Sequence, residues 1–175
     1  MMPDFLSIEY LSCGSPRQQY AFTLLNAHNV MQLLKPFDPI VTGTIPLGID
    51  IATSDLDIIC HHADATQFSH VLAQSFSSYP LFRVSNRQIS GRPTIICQFQ
   101  LENLPIEIFG QNRPSVSQEA FIHLVNEYKI LEARGSEFRN EVIRLKLSGM
   151  KTEPAFAFLL GLKGDPYEVM LHASG

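Results

Sequence analysis

The chain has 175 residues, of which 45% are apolar, a size and composition typical of one domain with a substantial core. Its formal net charge is -4 and its pI is about 5.8, which excludes general coating of nucleic acid through a basic surface but not a local basic cleft. Residues 1–10 show no secretion signal, and no apolar run reaches the roughly 18 residues of a membrane helix. We therefore expect a cytoplasmic protein that does not bind membranes.

The three cysteines are expected to be reduced thiols. Cys60 and Cys97 lie in the apolar runs LDIIC and TIICQF, which predicts that both are buried. An odd number of cysteines disfavours a disulfide framework, and the chain contains no CxxC spacing that would indicate zinc.

The first part of the chain mixes helix and strand signals. Ser15 and Pro16 are a good N-cap and first-turn pair, and apolar residues then recur at helical spacing up to Pro36. Two short runs with strand patterns follow, joined by the loop IPLGIDIATS. The predicted elements are a helix at 16–34, strands at 39–43 and 55–60, and a helix at 63–77.

The sequence pattern in the second part of the chain predicts a β-meander followed by helices. Turn residues at 91–93 and 102–103 separate three strand patterns, for which antiparallel pairing is the simplest arrangement. Gly135 and the stretch 152–154 separate the helical patterns that follow. The predicted strands are 81–89, 94–101 and 104–109, and the predicted helices are 117–133, 136–150 and 153–162, with a last short helix at Asp165-Pro166.

We expect a single domain, 1–175, with an α/β core at about 15–112 and a helical extension at about 115–172.

Acidic residues gather on one face of the predicted sheet. Because side chains alternate across a strand, Asp55 and Asp57 share a face while the apolar residues between and after them point into the core. Glu107 occupies the polar face of a later strand. The remaining polar residues assigned to this face include Arg83, Arg87, Gln98 and Gln100.

Three neighbouring carboxylates predict a bound cation. Like charges repel, and desolvating each one costs roughly several kcal/mol unless a counter-charge is present. Carboxylate oxygens are hard ligands of the kind that bind Mg²⁺ or Mn²⁺, which share their remaining positions with water and substrate phosphates. We therefore predict a metal site at Asp55, Asp57 and Glu107.

Three motifs in order resemble the polymerase-beta-like nucleotidyltransferase superfamily. They are Gly43-Thr44, then Ser54-Asp55-Leu56-Asp57, then Ile106-Glu107-Ile108. Thr44 stands where the superfamily usually has Ser or Gly, and Glu107 where many members have Asp. The longer phrase GTIPLGIDIATSDLDIIC, with IEIFGQ, is similar to a bacterial family of uncharacterised proteins within that superfamily.

The resemblance implies a fold and a mechanism. The fold would be a mixed β-sheet with helices packed on one face and a helical C-terminal extension. Asp55 and Asp57 would hold two Mg²⁺ or Mn²⁺ ions, and Glu107 would complete the catalytic ion site and orient or deprotonate an acceptor hydroxyl. Gly43 and Thr44, with Ser54 beside them, would bind the phosphates of a nucleoside triphosphate (NTP).

We therefore expect a metal-dependent nucleotidyltransferase that transfers a nucleoside monophosphate from an NTP to an acceptor hydroxyl. The alternative is a catalytically silent nucleotide-binding or scaffold protein of the same fold. The sequence does not specify the acceptor, the nucleobase or the oligomeric state.

Several other polar residues have two interpretations. Arg83 and Arg87 are either solvated edge-strand residues or substrate ligands. Arg144 and Lys151, seven residues apart and hence on one helix face, either face solvent or close the cleft over an anionic substrate.

Two histidine motifs are expected to be surface features. His61 and His62 are adjacent on a strand and point to opposite faces, so they do not readily bind one ion, and we expect both to be exposed. His123 and Glu127 are spaced i, i+4 on a helix, and a surface pair is favoured over a ligand pair.

Overall fold

The computed structural model describes residues 2–173, which form seven α-helices and one five-stranded sheet. The helices are α1 (Pro16–Ala27), α2 (Val30–Leu34), α3 (Thr44–Leu47), α4 (Ala65–Phe76), α5 (Glu119–Leu147), α6 (Thr152–Leu160) and α7 (Pro166–Met170). The strands are β1 (Ile40–Thr42), β2 (Leu56–His61), β3 (Arg83–Ile89), β4 (Arg92–Leu101) and β5 (Leu104–Gln111). Short 3₁₀ helices lie at Glu9–Cys13, Lys35–Phe37 and Ser115–Ser117.

The first helix begins as the sequence predicts and ends earlier. The Ser15 side chain accepts a hydrogen bond from the backbone of Gln18, and the Gln18 side chain accepts one from the backbone of Ser15, which is a capping box. The predicted helix at 16–34 divides into α1 and α2 because Asn29 adopts a left-handed conformation with φ 52°.

The sheet has the strand order β1-β2-β5-β4-β3. Strands β3, β4 and β5 form the predicted antiparallel meander. Strand β2 pairs with β5 in parallel and with β1 in antiparallel orientation, so the sheet is mixed, as expected.

One face of the sheet is covered by α1 and α4, and the alternate residues of β2 bury there as predicted. Leu56, Ile58 and Cys60 have no exposed surface. Gly110 on β5 permits close contact with α4, since a Cβ atom at Gly110 would lie 2.0 Å from Cε1 of Phe68. Helix α4 therefore packs directly on the backbone of a central strand.

The C-terminal helices have a second core of their own. Helix α5 is interrupted at Gly135, whose φ of 76° and ψ of -166° are not helical, and this confirms the break predicted there. Buried residues of α5 and α6 pack with Leu47 and Ile49, which follow β1, and with Phe5. No helix in the described part of the chain is long and apolar enough to cross a membrane.

Candidate active site

A row of polar residues crosses all five strands of the sheet. Its members are register partners in succession, in the order Thr42, Asp57, Glu107, Gln98 and Arg83. Residues directly opposite each other on paired strands point to the same face, so this row lies on the face away from α4. Arg83 Nε donates to Gln98 Oε1, and Gln98 Nε2 donates to Glu107 Oε1.

The three predicted carboxylates converge at this row, which contains two of them. Asp55, Asp57 and Glu107 are partly buried, and one oxygen from each lies within 4.8 Å of the others. Three carboxylate oxygens at this spacing fit one or two hard divalent cations such as Mg²⁺ or Mn²⁺. The donor set offers no sulfur or imidazole, which disfavours zinc.

Ionisation of all three carboxyl groups is unfavourable when no cation is bound. Burial, followed by the charges of Asp55 and Glu107, raises the pKa of Asp57 well above its usual range. Burial and the charge of Asp55 also raise the pKa of Glu107, and the hydrogen bond from Gln98 opposes that rise. A bound cation would favour the ionised form of all three groups.

Gly43 is the residue that the site geometry requires at the end of β1. Its φ is 77°, and a Cβ atom there would lie 2.2 Å from Oδ2 of Asp57. Any other residue would be strained in its backbone and would overlap a carboxylate of the acidic site. The turn therefore lets the backbone approach Asp57 closely.

Thr44 and Ser54 meet at this turn. Thr44 begins α3, and its hydroxyl donates to the Ser54 hydroxyl at 3.3 Å. The Ser54 hydroxyl also accepts from the backbone of Ile51 at 3.0 Å, and Arg17 donates to the Ser54 carbonyl at 3.1 Å. These bonds fix the loop that leads into Asp55 against the Gly43-Thr44 turn.

A cavity of about 560 Å³ lies between this face of the sheet and helices α5 and α6. On the sheet side it is lined by Gly43, Thr44, Ser54, Asp55 and Asp57. On the helix side it is lined by polar residues that include His123, Glu127, Lys146, Lys151 and Glu153. Its volume is within the range of small-molecule sites in proteins.

The prediction that His123 and Glu127 form a surface pair is wrong. Both residues line the cavity, with relative exposures of 7% and 4%. They do share a helix face, but α6 and α7 cover that face. His123 Nε2 donates to the Tyr167 carbonyl at 2.9 Å, and its Nδ1 lies 3.5 Å from Oε1 of Glu153.

The basic residues are arranged differently from either prediction. Arg144 is exposed and pairs with Glu141 at 2.7 Å, whereas Lys151 lines the cavity. Lys146, which the sequence analysis missed, also lines it and donates to the Ile49 carbonyl at 2.7 Å. Burial lowers the pKa of Lys146 to about 8. Its position four residues after buried Val142 is the signal that could have identified it.

The expected exposure of both adjacent histidines is also wrong. His62 is 7% exposed and stacks on Phe68, with ring centroids 5.2 Å apart, whereas His61 is half-buried and its Nδ1 lies 3.9 Å from Asp38 Oδ2. The two side chains do point in opposite directions, as predicted, but that of His62 points into the core.

Arg83 and Arg87 lie on edge strand β3, and both are exposed. Neither lines the cavity. Arg83 is nevertheless connected to the acidic site through Gln98, whereas Arg87 is the register partner of Thr94.

Solved structures of nucleotidyltransferases share this fold. The GLD-2/RNP-8 complex matches with a TM-score of 0.56 at 12% identity, over 88% of this chain and 63% of that chain. The Cid1 poly(U) polymerase bound to Mg 3'-dATP matches with a TM-score of 0.54 at 15% identity, over 89% and 48%. Cid1 and GLD-2 are polymerase-beta-like nucleotidyltransferases, so the chain has a nucleotidyltransferase-like mixed α/β fold. It spans less than two thirds of the length of each of these structures.

The chain belongs to the family described as Domain of unknown function (DUF4269), whose profile matches residues 23–173. A comparison with curated proteins finds no match. The likeness to a bacterial family within the superfamily stays a prediction.

Proposed function

We propose that the protein is a metal-dependent nucleotidyltransferase that transfers a nucleoside monophosphate from an NTP to an acceptor hydroxyl. The observation that carries this proposal is the convergence of Asp55, Asp57 and Glu107 within 4.8 Å, beside the Gly43-Thr44 turn. The nucleotidyltransferase-like fold supports it.

The three carboxylates would hold Mg²⁺ or Mn²⁺. Asp55 and Asp57 would bind both ions of a two-metal site, and Glu107 would complete the coordination of one of them. When bound, such ions stabilise the attacking and leaving oxygens of an in-line phosphoryl displacement. Glu107 would also orient the acceptor hydroxyl or accept its proton, a role that requires its carboxylate to be ionised.

The turn and the helical wall would hold the triphosphate. Gly43 and Thr44 would contribute backbone N–H groups and a hydroxyl to the phosphates, and Ser54 supports the turn through its contact with Thr44. Lys151 lines the same cavity and lies close enough that its charge affects the pKa of Asp57. It is therefore the cation that we assign to the phosphates, in place of Arg144.

A transfer screen tests the proposal. Radiolabelled ATP, GTP, CTP and UTP would be incubated in Mg²⁺ or Mn²⁺ with RNA, protein, aminoglycoside and small-metabolite acceptors, and labelled product would be separated from free NTP. We expect label transfer with release of pyrophosphate, and none in Asp55→Asn/Asp57→Asn.

A thermal unfolding assay separates binding from catalysis. A ligand that binds the folded state alone raises the melting temperature, so Mg²⁺ with NTP should stabilise the wild-type protein. Stabilisation without transfer to any acceptor would favour the catalytically silent nucleotide-binding alternative. No stabilisation and no transfer would contradict the proposed function.

A further inference from the structure

The cavity wall opposite the metal site carries three carboxylates that the proposed metal and phosphate sites do not use. One of them, Glu119, already accepts a hydrogen bond from the Ser90 hydroxyl at 2.6 Å. The other two are Glu127 and Glu153. Glu127 lies on α5 and Glu153 lies on α6. Both line the same cavity as Asp55 and Asp57. Burial, followed by the charge of the neighbouring Glu153, raises the pKa of Glu127 well above its usual range.

Glu127 has an unsatisfied acceptor in this wall. The residue is 4% exposed, and its Oε1 has no hydrogen-bond partner among residues 2–173. A buried carboxylate oxygen without a donor is unfavourable by roughly 1–3 kcal/mol or more. A donor supplied by a ligand in the cavity would remove that penalty.

The polar groups near this acceptor have hydrogen bonds to other partners. Lys146 Nζ donates to the Ile49 carbonyl at 2.7 Å. His123 Nε2 donates to the Tyr167 carbonyl, and Nδ1 of the same ring is 3.5 Å from Oε1 of Glu153. His123 thus contacts Tyr167 and Glu153, and Oε1 of Glu127 stays without a donor within residues 2–173.

We propose that Glu127 and Glu153 form a subsite that binds an N–H-bearing group of the small-molecule substrate, either the donor edge of a nucleobase or a protonated amine of the acceptor. This inference rests on the proposed function, because it assigns the remaining part of the same cavity.

The polar groups of the cavity favour different ligand groups. The carboxyl oxygens of Glu127 and Glu153 accept hydrogen bonds, whereas phosphate oxygens need donors, so phosphate does not satisfy the open acceptor of Glu127. Phosphate belongs with Gly43, Thr44 and Lys151. An N–H donor is the complementary group for these two carboxyl groups. Such a donor would favour the ionised form of Glu127, in which an N–H···O bond is among the stronger hydrogen bonds in proteins.

The matched variants are Glu127→Gln and Glu137→Gln. Both replace one carboxylate on α5 by an amide, but Glu137 is exposed and does not line the cavity. Glu153→Gln provides a second variant at a less buried position, where the side chain is 23% exposed. Circular dichroism and thermal unfolding would establish that each variant is folded.

Binding would be measured by isothermal titration calorimetry. The nucleotide probes are ATP, GTP, CTP and UTP, each with Mg²⁺, and the amine probes are spermidine and an aminoglycoside. We expect at least one probe to bind Glu127→Gln about tenfold more weakly or worse, with Glu137→Gln within about twofold of wild type.

The pattern of loss identifies the source of the N–H group. A loss confined to particular nucleotides assigns the subsite to the nucleobase, and a loss confined to the amine probes assigns it to the acceptor. If the wild type binds Mg²⁺-NTP, and both Glu127→Gln and Glu153→Gln bind every probe as it does, the subsite is wrong while the proposed function stands. If the wild type binds none of the probes, both proposals are wrong.

Discussion

Asp57 and Glu107 are direct register partners across the parallel β2–β5 pair. Neighbouring strands lie about 4.8 Å apart, so partners on one face bring their carboxylates together although they are distant in the chain. A slip of one residue in this register would turn Glu107 into the core. The acidic site therefore depends on the pairing of β2 with β5, and the predictions below test what that arrangement does.

The double variant Asp55→Asn/Asp57→Asn should fold normally and lose divalent-cation binding. Amides keep the shape of the side chains, but a neutral amide oxygen attracts a hard cation less strongly than a carboxylate does. The melting temperature of the metal-free protein should rise by a few degrees, because the variant removes repulsion among buried carboxylates. Calorimetric titration with Mn²⁺ measures the first effect and thermal unfolding the second. Mn²⁺ affinity equal to that of the wild type would refute the metal assignment.

A matched control for this variant is Glu137→Gln/Glu168→Gln. It makes the same change in charge at two exposed positions on α5 and α7. Mn²⁺ affinity should then stay within about twofold of the wild type, since surface charges act weakly at a distance.

The stability of the metal-free protein should depend on pH through Asp57 and Glu107. The pKa of each is raised, so the folded protein binds these protons more tightly than the unfolded chain does. Their stabilising contribution is therefore present at low pH and is lost as pH rises through the folded-state pKa. The gain in melting temperature of Asp55→Asn/Asp57→Asn over wild type should be larger at pH 8 than at pH 5. A gain that shrinks with rising pH would contradict the direction of both shifts.

Gly43→Ala should destabilise the fold and weaken Mn²⁺ binding. The substitution places a methyl group 2.2 Å from Asp57 Oδ2 at a positive φ, so the backbone strain of about 1–2 kcal/mol adds to a clash with the acidic site. Gly91→Ala is the control, because Gly91 has φ 70° and no atom of residues 2–173 lies within 4 Å of the added Cβ. Urea unfolding should show a larger loss for Gly43→Ala, and Mn²⁺ binding should be intact in Gly91→Ala. Equal effects of both variants would show that the contact with Asp57 is unimportant.

The strands and the acidic cluster could be predicted because their signals are local. The alternation of apolar and acidic residues on β2 and the order of the later strands show which side chains lie on the polar face of the sheet. The three motifs identify the carboxylates. The division of the first helix was missed because Asn29 is compatible with a helical sequence pattern and becomes left-handed only in the folded chain.

The residues on the helical side of the cavity were mispredicted because their burial depends on tertiary contacts. The i, i+4 spacing of His123 and Glu127 shows that they share a face, but not that α6 and α7 cover it. Likewise the seven-residue spacing of Arg144 and Lys151 spans the end of α5 at Leu147, so the two residues belong to different elements. Lys146, on the buried face of α5, lines the cavity that Arg144 was expected to line.

Thr44→Val should weaken the binding of Mg²⁺-NTP if the Thr44 hydroxyl contacts the triphosphate. Valine keeps the shape and removes the hydroxyl, so affinity should fall by the ~1.5–3 kcal/mol of a hydrogen bond to a charged group. Thr44→Ser keeps the hydroxyl and should bind within a few-fold of wild type. Calorimetry with Mg²⁺-ATP and Mg²⁺-UTP makes the comparison. If valine and serine variants bind alike, the hydroxyl does not contact the phosphates.

Glu107→Gln should separate chemistry from binding. The amide keeps the hydrogen-bonding shape but cannot accept a proton, so transfer to an acceptor found in the screen should fall by about 10²–10⁴-fold. Mg²⁺-NTP affinity should change far less, because Asp55 and Asp57 remain. Equal losses of binding and transfer would assign Glu107 to substrate binding and leave its role in proton transfer unsupported.

Gln98 should act on the reaction through Glu107. Its amide donates to Glu107 Oε1 and is itself held by Arg83, so it fixes the carboxylate and lowers its pKa against the effect of burial. Gln98→Leu removes that donor, and the acidic limb of the transfer pH profile should move to higher pH because Glu107 then ionises less readily. Gln100→Leu on the same face of β4 is the control, since Gln100 donates to the Glu102 carbonyl instead. A lower rate with an unmoved pH profile in Gln98→Leu would mean that Gln98 supports the sheet and does not tune Glu107.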